Sequence, residues 1–209
     1  IWTIRLRGDY VLNGSFHIWL YPSKLLPQGT KFLKPNPYNT LTIPSTAVNV
    51  VTVAYYNSNN DTSVAESGRG YNVDGSINPD ITTGGVNILT TTPGGNIQAV
   101  SGSSVATAIV AGVCSLMLQW GEVDKNDIQM FSTKVRSYLI YGANRKNNET
   151  YPNRENGFGY LNIKNTFEFI GGVYRLESGS RQGNNRQQII VVMDKGIYDT
   201  FEKRGDLFS

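Results

Sequence analysis

The chain has 209 residues, 39% of them hydrophobic and 17% charged, so it is long enough to bury a core and too weakly charged to be disordered throughout. A formal net charge of +3, with Lys and Arg scattered rather than grouped, offers no nucleic-acid groove. No stretch approaches the ~20 apolar residues of a membrane span, no signal peptide is visible, and the single cysteine, Cys114, excludes an internal disulfide.

In chain order, residues 2–8 and 14–20 alternate apolar and polar side chains on either side of Leu12-Asn13-Gly14, a tight-turn signal, and predict a pair of strands. His17 occupies an alternating position between Phe16 and Ile18 there, which gives it a structural role. With one histidine and one cysteine far apart, no zinc site is expected. Pro35-Asn36-Pro37-Tyr38-Asn39 marks an exit loop. Residues 48–54 form an almost continuous apolar run rich in β-branched side chains, which suits a strand buried on both faces of a parallel sheet, with a helix near 44–47 as its crossover.

Asn57-Ser58-Asn59-Asn60-Asp61 offers oxygens to a cation, but only Asp61 is charged and no EF-hand spacing accompanies it, so no calcium site is expected. Residues 86–89 and 97–101 predict two short strands around Thr90-Thr91-Thr92-Pro93-Gly94-Gly95, a hairpin turn without the lysine or spacing of a phosphate-binding loop.

The most informative stretch is 101–112, where Ser104 follows a glycine-containing turn at the mouth of a helix. That helix can run through Val113, Leu116, Met117 and Trp120, is apolar on nearly every face, and so predicts burial, with Cys114 as a packing residue. Two local readings stand side by side. Ser103 or Ser104 can cap the helix, or Ser104 can present a nucleophilic hydroxyl in the positive field of free N–H groups, where an oxyanion is also held.

A second helix is predicted over 127–141, from Ile128, Phe131, Val135, Tyr138 and Leu139 at helical spacing, with Asp124 or Asn126 as its cap. Residues 173–176 and 188–193 predict two strands around a polar loop, and the last residues mix charges with Tyr198, Phe201, Leu207 and Phe208 in the manner of a short amphipathic helix.

Gly102-Ser103-Ser104-Val105-Ala106 resembles the subtilase signature Gly-Thr-Ser-x-Ala, whose second hydroxyl residue is the nucleophile. Ser67-Gly68-Arg69-Gly70 and the segment from Asn78-Pro79-Asp80-Ile81 to Gly84-Gly85-Val86-Asn87-Ile88 are similar, in order and spacing, to two further subtilase segments. The proline two residues after the signature alanine is replaced by Ala108, as in the clostridial germination proteases called Csp. Tyr138–Ala143 and Tyr151-Pro152-Asn153-Arg154-Glu155-Asn156-Gly157-Phe158-Gly159-Tyr160-Leu161-Asn162 resemble the closing helix and Gly-aromatic-Gly turn of that group, and the first forty residues resemble its jelly-roll insertion.

The resemblance, which covers residues 1 to about 172, implies an α/β fold: the C-terminal part of a subtilase domain, a parallel sheet with flanking helices, plus part of an all-β jelly-roll insertion. Residues 1–40 would belong to the insertion, 41–172 to the catalytic domain, and 173–209 to a C-terminal extension of strands and a short helix. Ser104 inherits the role of nucleophile and its own backbone N–H that of oxyanion donor, with no cofactor and no metal. A subtilase triad runs Asp, His, Ser along the chain, and neither partner of Ser104 precedes it in a matching motif. The chain, which opens at Ile1 within an expected strand, is therefore read as the later part of a serine endopeptidase, inactive alone, whose partners are its N-terminal portion and a protein substrate. Resemblance implies a spore location and a cortex-lytic proenzyme, activated at germination, as that substrate. The alternative is an inactive pseudoprotease serving as a binding or regulatory module. Neither reading involves nucleic acid or a membrane span.

Overall fold

The computed structural model describes residues 2–12, 14–21 and 25–180, the side chains of 173–180 excepted, and the chain divides into one unit up to Asn36 and a second from Pro37. The expected strands over 2–8 and 14–20 are not formed: among its described residues the first unit holds turns, bends and one 3₁₀-helical residue at Leu25, and no strand. Its apolar side chains are exposed, Trp2 at 99%, Ile4 at 69% and Phe16 at 70%. The alternation is real, but a lone two-stranded pair is marginal in water and needs further strands or a helix to cover its apolar face. The jelly-roll expectation for 1–40 therefore has no strand to rest on among the described residues. His17 is exposed, and its ring stacks on Trp19 at 5.4 Å between centroids.

The second unit is built on a three-stranded sheet of order β2-β1-β3, from β1 (Val53–Asn57), β2 (Thr62–Ser63) and β3 (Ile81–Gly84). β1 and β3 are parallel, Val53 opposite Ile81 and Tyr56 opposite Gly84, and β2 pairs antiparallel with the end of β1. Relative to the expected 48–54, β1 starts five residues late. The residues before it are held in turns, with Ser45 N–H donating to the Thr42 carbonyl, Ala47 N–H to that of Pro44, and Asn49 at a φ of 63°. These turns replace the helix expected near 44–47, and Val48 stands 86% exposed.

β4 (Ile88–Thr91) and β5 (Ile97–Val100) form the expected antiparallel hairpin, with Gly94 and Gly95 at φ of 89° and 80° in its turn. Gly102 N–H then donates to the Gly85 carbonyl at 2.8 Å, so the chain returns to the end of β3 before α1 (Ser103–Leu118) begins. α1 runs into one π-helical turn, Gln119–Val123. α2 (Ser132–Gly142) and α3 (Ile163–Ser180) pack against each other.

The core lies where one face of α1 meets the sheet and the other helices: Val110, Val113 and Met117 with Ile81, Leu139 and Ile170. Each such side chain, fully buried, contributes about 1.5–3 kcal/mol. The expectation of burial on nearly every face of α1 is corrected: Ala108, Ala111, Gly112 and Ser115 are exposed and Leu116 is 51% exposed. Ser103–Val123 is helical for 21 residues and long and apolar enough by composition to cross a membrane, a test that a core helix passes as well.

α2 starts five residues later than expected and takes neither proposed cap: Phe131 precedes it with no side-chain bond. Asn126 instead donates to the Trp120 carbonyl, and Asp127 turns the chain, its Oδ1 accepting the Gln129 N–H at 3.2 Å, and pairs with Lys134. Asn162 opens α3, its Oδ1 accepting the Asn165 N–H at 3.0 Å. Residues 173–176, expected as a strand, lie within α3, because extending a helix already nucleated costs less than starting a new element. The strand expected over 188–193 and the terminal helix lie outside the described residues.

Candidate active site

The entry to α1 is made by backbone. Gly102 has φ 141° and ψ 166°, a conformation that glycine tolerates best, and its carbonyl accepts the N–H groups of Val105 and Ala106. No side chain caps the helix, so the capping alternative for Ser103 or Ser104 does not describe this terminus. The N–H groups of Ser103 and Ser104 belong to the first helical turn, which has no carbonyl partners within the helix and forms its positive end.

Ser104 is exposed, and its hydroxyl makes no hydrogen bond among the described residues. Thr107, one turn on, is bonded within the helix, its Oγ1 donating to the Ser103 carbonyl at 2.9 Å. Ser103, Ser104 and Thr107 line a cavity of about 690 Å³ with Thr52 and Val53 at the start of β1 and the loops on either side of that strand, including Leu41, Pro44, Glu66 and Ser67. Ser67 is buried, and its Oγ accepts the Tyr55 N–H at 3.1 Å, which holds the loop against β1.

Below the cavity the sheet is fixed by Asp80, which is 1% exposed. Its Oδ2 accepts the Thr52 N–H at 2.7 Å and its Oδ1 accepts from Arg136 Nε at 2.8 Å and from Nη2, so one carboxylate ties β1, β3 and α2 together. Burial pushes the Asp80 carboxyl above the usual carboxylate range against the opposing pull of Arg136 and the Thr52 N–H. The sequence brought Asp80 forward only as part of a motif, and Arg136 carried no signal.

A second polar cluster, also unforeseen, closes the domain. Glu149 accepts from the Tyr151 hydroxyl at 2.8 Å, the Tyr160 hydroxyl at 3.0 Å and the Asn156 amide at 3.0 Å. Lys146 Nζ sits 4.2 Å from the Tyr160 ring centroid and donates to Asp61 at 2.7 Å. Burial opposes ionisation of Glu149, but the three donors and Lys146 together outweigh it and hold the carboxyl below its ordinary value. The Gly157-Phe158-Gly159 turn then lays Tyr160 beside β3: Thr82 N–H donates to the Gly159 carbonyl and Leu161 N–H to that of Thr82. A Cβ on Gly157 would lie 2.1 Å from the Pro79 oxygen, which explains the glycine.

The remaining sequence candidates are placed as follows. Asp61, weighed for calcium, is paired with Lys146, and Asn57 and Asn60 accept bonds from within their own loop. No cluster of three His, Cys, Asp or Glu side chains is placed to hold a metal among the described residues. Cys114 packs against the core, and burial raises its thiol above the usual range, which keeps it in the unreactive protonated form.

In this fold a serine opens a helix that follows a parallel strand pair, and that serine lines a cavity. The sequence profile of the subtilase family matches residues 28–160, and the chain belongs to that family of serine proteases. Among solved structures, the CspB protease of Clostridium perfringens is similar at 37% identity and a TM-score of 0.66, over 69% of this chain and 31% of its own. The self-cleaved protease domain of PatA matches at 26% identity and a TM-score of 0.51, over 66% of this chain and 47% of its own. The prenylagaramide maturation protease PagA gives 26% and 0.51 over 63% and 46%. The chain thus spans less than a third of the CspB protease and less than half of the other two. No curated protein sequence matches it.

Proposed function

We propose that this chain carries the nucleophile of a subtilisin-type serine endopeptidase, with Ser104 attacking the scissile carbonyl. The observation that carries the reading is the placement of Ser104, an unbonded hydroxyl in the first turn of α1, facing a cavity large enough for a peptide side chain. Attack forms the Oγ–carbon bond, and the carbonyl oxygen becomes an oxyanion that the Ser104 N–H and the positive end of α1 stabilise. The tetrahedral intermediate collapses to an acyl-enzyme with loss of the amine, and water releases the acid.

A base must take the Ser104 proton, and the single histidine of the chain lies outside the second unit, stacked on Trp19. The reading therefore includes an N-terminal portion of the same protease that supplies the histidine and aspartate. The exposed face of α1, with Ala108, Ala111 and Gly112, supports it, as does the small share of the CspB protease that this chain spans. By the Csp resemblance the substrate is a cortex-lytic proenzyme activated in the spore at germination.

The test is peptidase turnover by the chain produced together with the residues encoded before Ile1. Ser104→Ala should lower kcat by three or more orders of magnitude with the fold intact, and the chain alone should give only background. Turnover that survives Ser104→Ala overturns the assignment. A correctly folded product that binds the proenzyme and never cleaves it would place the chain among inactive regulatory modules.

A further inference from the structure

The cavity beside Ser104 has a charge character that the protease reading does not use. Of the described residues that line it, Glu66 alone is charged; the rest are aliphatic, hydroxyl-bearing, proline or glycine. Several other carboxylates of the second unit are compensated, Asp80 by Arg136, Asp61 by Lys146, Glu155 by Arg69 and Asp127 by Lys134, but none of these lines the cavity. Glu66 has no ion-pair partner among the described residues. Its field reaches the wall of β1, where the Tyr55 hydroxyl is raised above its ordinary range by burial and then by the Glu66 charge.

We propose that the cavity is a subsite for a basic side chain of a bound peptide, with the Glu66 carboxylate as its counter-charge and Leu41, Pro44 and Val53 as the wall for the aliphatic stem. The chemistry of Lys and Arg matches this division, a long methylene chain ending in a cation that keeps its charge at neutral pH. An acidic side chain would meet a like charge, and an aliphatic one would leave the exposed Glu66 carboxylate without a counter-charge. The inference rests on the proposed function only for its position, since Ser104 lining the same cavity is what makes this a substrate subsite.

Equilibrium binding tests it without any turnover. Fluorescein-labelled hexapeptides identical except for one Lys, Leu or Glu are titrated against the chain produced together with the residues encoded before Ile1 and read by fluorescence anisotropy. The Lys peptide is expected to bind about fivefold tighter than the Leu peptide, near the upper range for a partly exposed ion pair, and the Glu peptide more weakly than both. Glu66→Gln should remove the Lys preference, Glu66→Lys should transfer it to the Glu peptide, and Glu122→Gln, at a carboxylate outside the cavity, should leave it unchanged. Equal binding of the three peptides, or a Lys preference that survives Glu66→Gln in a variant with an unchanged melting midpoint, overturns the proposal. Failure of Ser104 as nucleophile would show in turnover and leave these titrations as they are, so the two readings fail separately.

Discussion

The first unit and the second carry the same kind of apolar patterning and treat it differently. Residues 2–8 alternate as cleanly as any strand, yet Trp2, Ile4 and Leu6 stand exposed, whereas β1, whose pattern is blurred by Tyr55 and Tyr56, is hydrogen-bonded on both edges. β1 has β2 and β3 within the same chain and a helix face to cover it. Alternation specifies which side of a strand seeks cover; it forms a strand only where the covering elements are supplied.

The contrast can be broken at its strongest point by Arg136→Ala, which leaves the buried Asp80 carboxylate without its cation. A loss of about 3–4 kcal/mol in urea unfolding is expected. The raised pKa of Asp80 sets the pH dependence of that deficit. Protonated Asp80 needs no partner, so the deficit should shrink as pH falls through the folded pKa and be largest at neutral pH. A variant within about 0.5 kcal/mol of the parent at pH 7 would show that the Asp80 clamp does not set the stability of the second unit.

Glu149 sharpens the comparison with a smaller effect. Its folded pKa is depressed, so its contribution is complete above the unfolded value of about 4.3 and is lost as pH falls through the folded one. Thermal melting between pH 3 and 7 should lose part of its acid slope in Glu149→Gln; an unchanged slope would mean the Tyr151, Tyr160 and Lys146 contacts are not worth forming in solution. The smallest effect belongs to the first unit. Ile4→Ser should move the melting midpoint of the second unit by no more than a surface substitution does, about 0.5 kcal/mol in equivalent stability. A larger change would mean that the exposed alternation of residues 2–8 is covered after all.

What could be read ahead of the structure follows the range of the interactions. The β4–β5 hairpin was legible because Pro93-Gly94-Gly95 fixes a local turn, and α1 because small and apolar residues run together after Gly102. β3 escaped pattern reading: Thr82 and Thr83 are buried polar residues in the last strand of the β2-β1-β3 order, with nothing to mark them as a strand except the motif around Asp80. The Asp80 to Arg136 pair joins residues 56 positions apart, and charge partners at that separation leave no local trace. The strand misread at 173–176 failed for the opposite reason, since β-branched and aromatic side chains there are overruled by the helix already running through Ile170. Ser104 was legible only through a family signature, because the position of a hydroxyl against a helix end is set by Gly102 and by its bond to Gly85, neither of which periodicity reports.

That same bond between Gly102 and Gly85 has a practical meaning for anyone wishing to build on this molecule. It closes the excursion of residues 86–101 into a stalk whose two feet stand together, reinforced by the Asn87 N–H to Ser101 hydroxyl contact at 2.9 Å. Ile97 and the turn at Gly94-Gly95 stand in solvent at the far end of it, and Leu89 is exposed nearer the feet. Such a stalk is a natural socket for grafted cargo: a dye, an epitope or a small folded tag could replace its tip while the helix that begins at Ser103 keeps its anchorage.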